Sequence, residues 1–409
     1  VCGAAVMCYA EFASMIPVAG SAYTFTYTTV GEIMAWIIGW DLILEMLMAG
    51  SVISKYWGVY LNDFMRLMGW NANTNLTFGS FHIDIAPIII VAFFTTLLVF
   101  GTKIGARVDG AMTVLKIAIV FFVVIVGFFY VKASNFTPFI PPSQPASTVE
   151  GSSAVTGVMT QPLWQFATGM TPSVYGVPGI LSGAALVFFA FIGFDVVATA
   201  SEETKNPHKN VPLGIGVGML LIIVMYMLVA VVTTGMVSYA DLAKQDSPSL
   251  ATAFELVGAD WAAKIISFGI VLGLATVVMV LLLGLTRIVF AMSRDGLLPR
   301  GLSKTGKHGT PAALQIVVGA VVALVAAFFD IGVLSDMVNI GTLSAFTLVA
   351  ISIPIMRKKR PDLPRAFKMP GSPWIPILIA VANFWLMLNL SVLTWIRFVV
   401  WLVVGFAIY

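Results

Sequence analysis

The feature that most constrains this chain is a succession of apolar runs, each about 20 residues long and separated by short polar stretches. A helix rises 1.5 Å per residue, so about 20 apolar residues cross the ~30 Å hydrocarbon core of a bilayer. In hydrocarbon every backbone N–H and C=O must be satisfied inside the protein, which helices achieve. Composition agrees: 59% of the 409 residues are hydrophobic and 10% charged, against about 25% charged in a soluble domain. An all-α membrane protein of about eleven transmembrane helices is expected.

The candidate spans begin with a partial one, Val1 to Ile16. Glu32–Tyr60, Ile83–Gly101, Val108–Val131, Gly179–Ala200 and Val211–Val237 follow. The last are Trp261–Met292, Pro311–Phe329, Leu334–Met356, Trp374–Leu390 and Leu393–Tyr409. Pro17 with Gly20, and Pro207 with Pro212, read as helix stops. The chain starts at Val1 inside an apolar run, without the basic start of a signal peptide, so sequence upstream is expected.

Alternate loops are basic. One side holds Lys103, Arg107, Lys205, Lys209, Arg294, Arg300, Lys304, Lys307 and the cluster from Arg357 to Lys368, 14 Lys or Arg in all, and the other side holds 6. The positive-inside rule makes the 14-residue side and the C-terminus cytoplasmic. The long Pro-, Ser- and Thr-rich loop 132–178 is then extracellular. Asn75 and Asn135 begin glycosylation triplets on that side, a weak signal because such triplets are common by chance.

Several function classes drop out. A formal charge of +3 is too small to imply nucleic acid. Cys2 and Cys8 share one apolar run, about 9 Å apart on a helix, too far for a disulfide, and read as packing residues. His82, His208 and His308 fall between spans, so no metal site or intramembrane His relay is expected. No Walker loop or dinucleotide fingerprint occurs, so no cofactor and no enzyme activity are expected.

Ionisable groups inside spans cost roughly 2.5–3.5 kcal/mol each on insertion scales and mark sites to inspect first. Lys116 sits mid-span between Leu115 and Ile117. It either titrates or braces a helix break, or forms a static ion pair in the bundle. Asp195 follows Gly193 by two residues within an apolar run. That pairing suggests an interrupted helix whose free N–H and C=O groups bind a zwitterion, or a glycine packing contact with an acid near the interface. Asp41 and Glu45, spaced i,i+4, share one helix face and either line a proton path or pair with neighbours. Glu11 and Arg287 lie nearer span ends or in polar surroundings and read as structural.

Several motifs in order resemble the cationic amino acid transporter relatives of the amino acid–polyamine–organocation superfamily. They are Cys8-Tyr9-Ala10-Glu11-Phe12-Ala13 with Pro17 to Tyr23; Gly39-Trp40-Asp41-Leu42-Ile43-Leu44-Glu45; Phe188 to Asp195; Glu202 to Pro207; Arg294 to Pro299; Val338-Asn339-Ile340-Gly341-Thr342-Leu343; and Arg360 to Arg365. The resemblance covers nearly the whole chain and implies a LeuT-like fold of two inverted five-helix repeats plus two helices. On that reading 1–131 is the remainder of the first repeat, 179–356 the second, and 374–409 the two added helices. The family's first broken helix, which binds the substrate carboxylate, is expected outside this numbering.

The resemblance also implies roles. Gly179–Ala200 matches the second broken helix, with its break near Phe191–Phe194. Substrate would meet Phe188, Phe189, Ala190, Phe191, Ile192 and Gly193, together with Thr276 and Met279. Lys116 matches a lysine standing in for a sodium ion in sodium-independent relatives, which makes proton coupling the expectation, with Asp195, Asp41 and Glu45 as further candidates. The position matching Met279 borders the side-chain pocket, and a bulky Met there would shorten it. The expected function is secondary transport of neutral, small to medium amino acids by proton symport across the cell membrane. An amino acid or polyamine exchanger, or a sensor that lost transport, are the alternatives. The implied partners are the amino acid, protons and the lipid bilayer.

Overall fold

The computed structural model describes residues 1–409 except 16–20, 30, 71–73, 79–80, 149–156, 194–196, 198–203, 246–248, 307–309 and 363–364. Its helices run in the order α1 (Cys2–Met15), α2 (Ser21–Thr29), α3 (Glu32–Leu67), α4 (Ile85–Phe100), α5 (Thr102–Phe128), α6 (Leu163–Thr168) and α7 (Gly176–Val187). A 3₁₀ turn, Phe188–Phe191, continues α7. Then come α8 (Pro207–Met236), α9 (Tyr239–Ala243), α10 (Leu250–Leu256), α11 (Asp260–Arg294), α12 (Ala312–Phe328), α13 (Ile331–Lys359), α14 (Trp374–Leu388) and α15 (Val392–Ile408). The antiparallel hairpin β1 (Asn75–Phe78) and β2 (Phe81–Asp84) joins α3 to α4. A second short pair, β3 (Gln144–Pro145) and β4 (Ser173–Val174), closes the base of the long loop.

Among the described residues, 5 helices are long and apolar enough to cross a membrane, and six shorter apolar helices accompany them. The side chains show where lipid lies. On α5, Val114, Ile117, Phe121, Ile125 and Phe128 are exposed. Their spacing of three or four residues places them on one stripe. Leu213, Val217, Leu220, Val224 and Val231 form a similar stripe on α8. Water would penalise such surfaces at roughly 25 cal/mol per Å². These stripes face lipid, and the chain is a multi-pass membrane protein.

The centre of the molecule is α3 packed on α11 and α13. A Cβ at Gly39 would collide with Met292 Sδ at 2.7 Å, and one at Gly50 would touch Leu281 Cβ at 3.9 Å. Moving along α3 therefore moves backward along α11, so the two helices are antiparallel and Glu45 stands level with Thr286. Gly39 is small because the helices approach closely there. α1 packs on α8, and α12 on α4.

Two boundaries differ from expectation for physical reasons. α3 continues past Tyr60 to Leu67. The added turns carry Asn62, Asp63 and Arg66, and Arg66 pairs with Glu255 at 2.9 Å. Pro212 does not stop a helix: it lies inside α8, while Pro207 occupies the first turn. Proline suits the start of a helix because its missing N–H is already an orphan there. At Pro212 only one ladder bond is lost, and the surrounding turns keep the rest. Pro17 and Gly20 fall outside the described residues.

Candidate functional site

The helix interruption begins at Phe188, earlier than the sequence suggests. α-Helical geometry ends at Val187, and Phe188–Phe191 is 3₁₀. Ile192 is extended, at φ −65° and ψ 145°. Gly193 has φ +122°, a region that side-chain-bearing residues avoid. Asp195 lies outside the described residues.

Breaking a helix in an apolar interior leaves backbone groups that need partners. Two side chains from other helices supply them. Asn339 of α13, fully buried, accepts from Phe189 N at 2.7 Å and donates to Leu186 O at 3.1 Å. Tyr226 of α8 donates to Ala190 O at 2.6 Å and sets its ring edge-on to Phe191 at 5.1 Å. Phe188 is buried against Phe346 of α13, with ring centroids 5.5 Å apart. Sequence reasoning assigned no role to Asn339 or Tyr226. A buried amide in the middle of an apolar span was the available signal, and Asn339 carried it.

Lys116 of α5 lies across α11. A Cβ at Gly273 would meet its Cγ at 3.1 Å and its Cε at 3.6 Å, so the lysine stem occupies the space that the glycine leaves. One turn along α11, Thr276 donates to Gly273 O at 3.1 Å. Thr276 and Met279 are both buried, spaced i,i+3 on one face. Met279 and Phe188 belong to the same apolar core cluster, and Phe189, Phe191 and Ile192 pack against it. The structure thus gathers Lys116 and Thr276 at Gly273, and places Met279 and the interrupted segment in one core.

The acid pair faces elsewhere. Asp41 and Glu45 are fully buried in α3. A Cβ at Gly341 of α13 would lie 3.5 Å from Asp41 Oδ1, and Ser344, one turn on, faces the same carboxylate. Lys116 therefore contacts α11, whereas Asp41 contacts α13. Residues of α13 two positions apart point about 200° apart. Asn339 and Gly341 accordingly reach the interrupted segment on one side and Asp41 on the other.

A cavity of about 680 Å³ opens at the loop end of α7. Gly179, Gly183 and Leu186 of α7 line it together with Phe136, Tyr175 and Tyr239. It ends at Leu186, whose carbonyl Asn339 holds, and so adjoins the start of the interruption.

A family model described as amino acid permease matches residues 1–408. The branched-chain amino acid permease BcaP of Bacillus subtilis (strain 168) is 42% identical across 100% of this chain and 82% of its own length. The methylthioribose transporter of the same organism is 38% identical over 100% of this chain and 82% of its own. Cationic amino acid transporter 4 of Homo sapiens is 31% identical over 88% of this chain and 53% of its own. A multi-pass chain with a helix interrupted in its apolar core, matched along its whole length by the two Bacillus subtilis relatives, belongs to the amino acid permease family of the amino acid–polyamine–organocation superfamily.

Proposed function

We propose that this transporter carries neutral, small to medium L-amino acids, branched-chain ones among them, by proton symport across the cell membrane. The observation that carries the reading is the interrupted helix after Val187, whose segment packs against the same apolar core that contains Met279. Free N–H and C=O groups at a break can hold the two ends of a zwitterion. A buried Met leaves room for a short apolar side chain, and a long cationic one would lose its hydration there. The 42% identical relative named as a branched-chain permease supports the same size class.

Proton coupling is supported by the ionisable residues Lys116, Asp195, Asp41 and Glu45 in the spans. An ion in hydrocarbon is costly, so a change of protonation there alters which packing is favoured. Lys116 at Gly273 is the first candidate because its stem touches the helix that carries Thr276 and Met279. The layout that goes with this function is eleven spans in two inverted repeats plus two helices, with 132–178 outside and the C-terminus inside. It is supported by the order of the apolar helices and the 14-to-6 distribution of basic residues.

One observation favours a second substrate class: the methylthioribose transporter is 38% identical over the whole chain. Competition separates the two. With labelled leucine in proteoliposomes, excess valine or isoleucine abolishes uptake on the main reading, and methylthioribose leaves it unchanged. Leucine uptake blocked by methylthioribose but not by valine would reverse the assignment.

A further inference from the structure

We infer that Asn339 is a positioning residue that sets the geometry in which the interrupted segment meets substrate. The inference rests on the reading of Phe188–Gly193 as the substrate-binding segment.

An α-helix that continued through this point would use both groups that Asn339 holds. Leu186 O would accept from the N–H four residues on, and Phe189 N would donate to the carbonyl four residues back. Asn339 withdraws both from that ladder, at 3.1 Å and 2.7 Å. Only one orientation of its amide satisfies the pair, because the carbonyl needs a donor and the N–H an acceptor. A carboxylate would repel Leu186 O, and an aliphatic side chain would leave both groups bare. The amide is fully buried, so water cannot substitute.

Register is fixed from the same helix. Phe346 lies seven residues after Asn339, two turns along the same face of α13. Its ring packs on Phe188 at 5.5 Å and on Tyr9 of α1 at 5.4 Å. α13 therefore holds the first residues of the interruption by an amide and a ring, and the next, Ala190, is held by Tyr226. With Asn339 removed, Phe189 N and Leu186 O lose the partner that holds them, and Phe189 and the following peptide groups are no longer fixed in the geometry that meets substrate.

The test uses the full-length protein in two arms, with Asn339→Leu close to isosteric. Leucine uptake in proteoliposomes gives KM and kcat, and hydrogen–deuterium exchange on the purified protein reads peptides spanning 186–193. The expected result is a KM raised about tenfold or more, the scale of a lost buried hydrogen-bond pair, with kcat within about threefold. Exchange in that segment rises without substrate. Should Asn339→Leu fail to fold, Asn339→Ser, whose short hydroxyl cannot reach both groups, carries the same expectation. Unchanged KM and unchanged exchange overturn the inference, as does a loss of thermal stability with KM unaltered. If the wild type takes up no neutral amino acid, the substrate reading fails, and the exchange arm still decides the role of Asn339.

Discussion

Arg357 grips Glu11 with two nitrogens, Nε to Oε1 at 2.9 Å and Nη2 to Oε2 at 2.6 Å, joining α13 to α1 across 346 residues of sequence. Glu11 has no exposed surface, and it also accepts from Met369 N at 2.7 Å. Arg365, itself 7% exposed, approaches Oε1 at 3.5 Å. One carboxylate thus organises two helices and the stretch after α13. Removing it takes the carboxylate away from Arg357, which is 27% exposed, and from the more buried Arg365. Breaking a buried pair from one side costs about 3–5 kcal/mol. Glu11→Ala is therefore expected to lower the thermal unfolding midpoint in detergent sharply, and Arg357→Lys, which loses the forked geometry, to lower it less. Equal midpoints for wild type and Glu11→Ala would contradict the cluster's structural role.

Met279 decides substrate length on this account. Met279→Ser is expected to gain uptake of longer amino acids such as arginine while weakening leucine. Truncating a buried Met also costs about 2–5 kcal/mol of stability, so expression and midpoint are measured alongside. A variant that only loses stability, with its selectivity unaltered, would mark Met279 as core filling.

The lysine on α5 is tested from both of its sides. Lys116→Ala is expected to abolish gradient-driven accumulation while the protein still folds. Gly273→Ala crowds the same stem, because the new Cβ would stand 3.1 Å from Lys116 Cγ. Overpacking of this kind costs about 1–3 kcal/mol, and gradient-driven uptake should fall by about tenfold. Normal accumulation by Lys116→Ala would move the coupling role to the acids of α3.

Trp40 and Trp401 stack at 4.5 Å and exchange indole N–H bonds with each other's carbonyls, at 2.8 Å and 3.2 Å. Gly405 makes the approach possible, since a Cβ there would sit 2.5 Å from the Trp40 ring. Gly405→Ala is expected to destabilise by about 1–3 kcal/mol, read as a lower unfolding midpoint, with KM for leucine unchanged. A changed KM would show that α15 bears on the substrate site.

The apolar helices were legible because a bilayer demands uninterrupted hydrophobic runs. The cause of the break in α7 was not. Phe188-Phe189-Ala190-Phe191 reads as ordinary helix, and the residues that end it, Asn339 and Tyr226, come from elsewhere in the chain. The sequence pointed to a break near Gly193, and the left-handed backbone there agrees, but the 3₁₀ start at Phe188 depends on a tertiary hydrogen bond. α10 escaped notice although its start carries a capping box, Ser249 with Thr252, because it lies between apolar spans too strong to look past. The i,i+4 spacing of Asp41 and Glu45 showed a shared face but not its neighbour, since Gly341 and Ser344 come from another helix. Motif order was the most informative signal for function, and the relatives match along the whole chain.

The most direct test is leucine uptake by the full-length protein in sodium-free proteoliposomes, with an inward proton gradient imposed or collapsed. The account predicts accumulation above the outside concentration only while the gradient lasts, and none in Lys116→Ala. Uptake that ignores the gradient but rises with leucine preloaded inside would contradict symport and make the protein an exchanger.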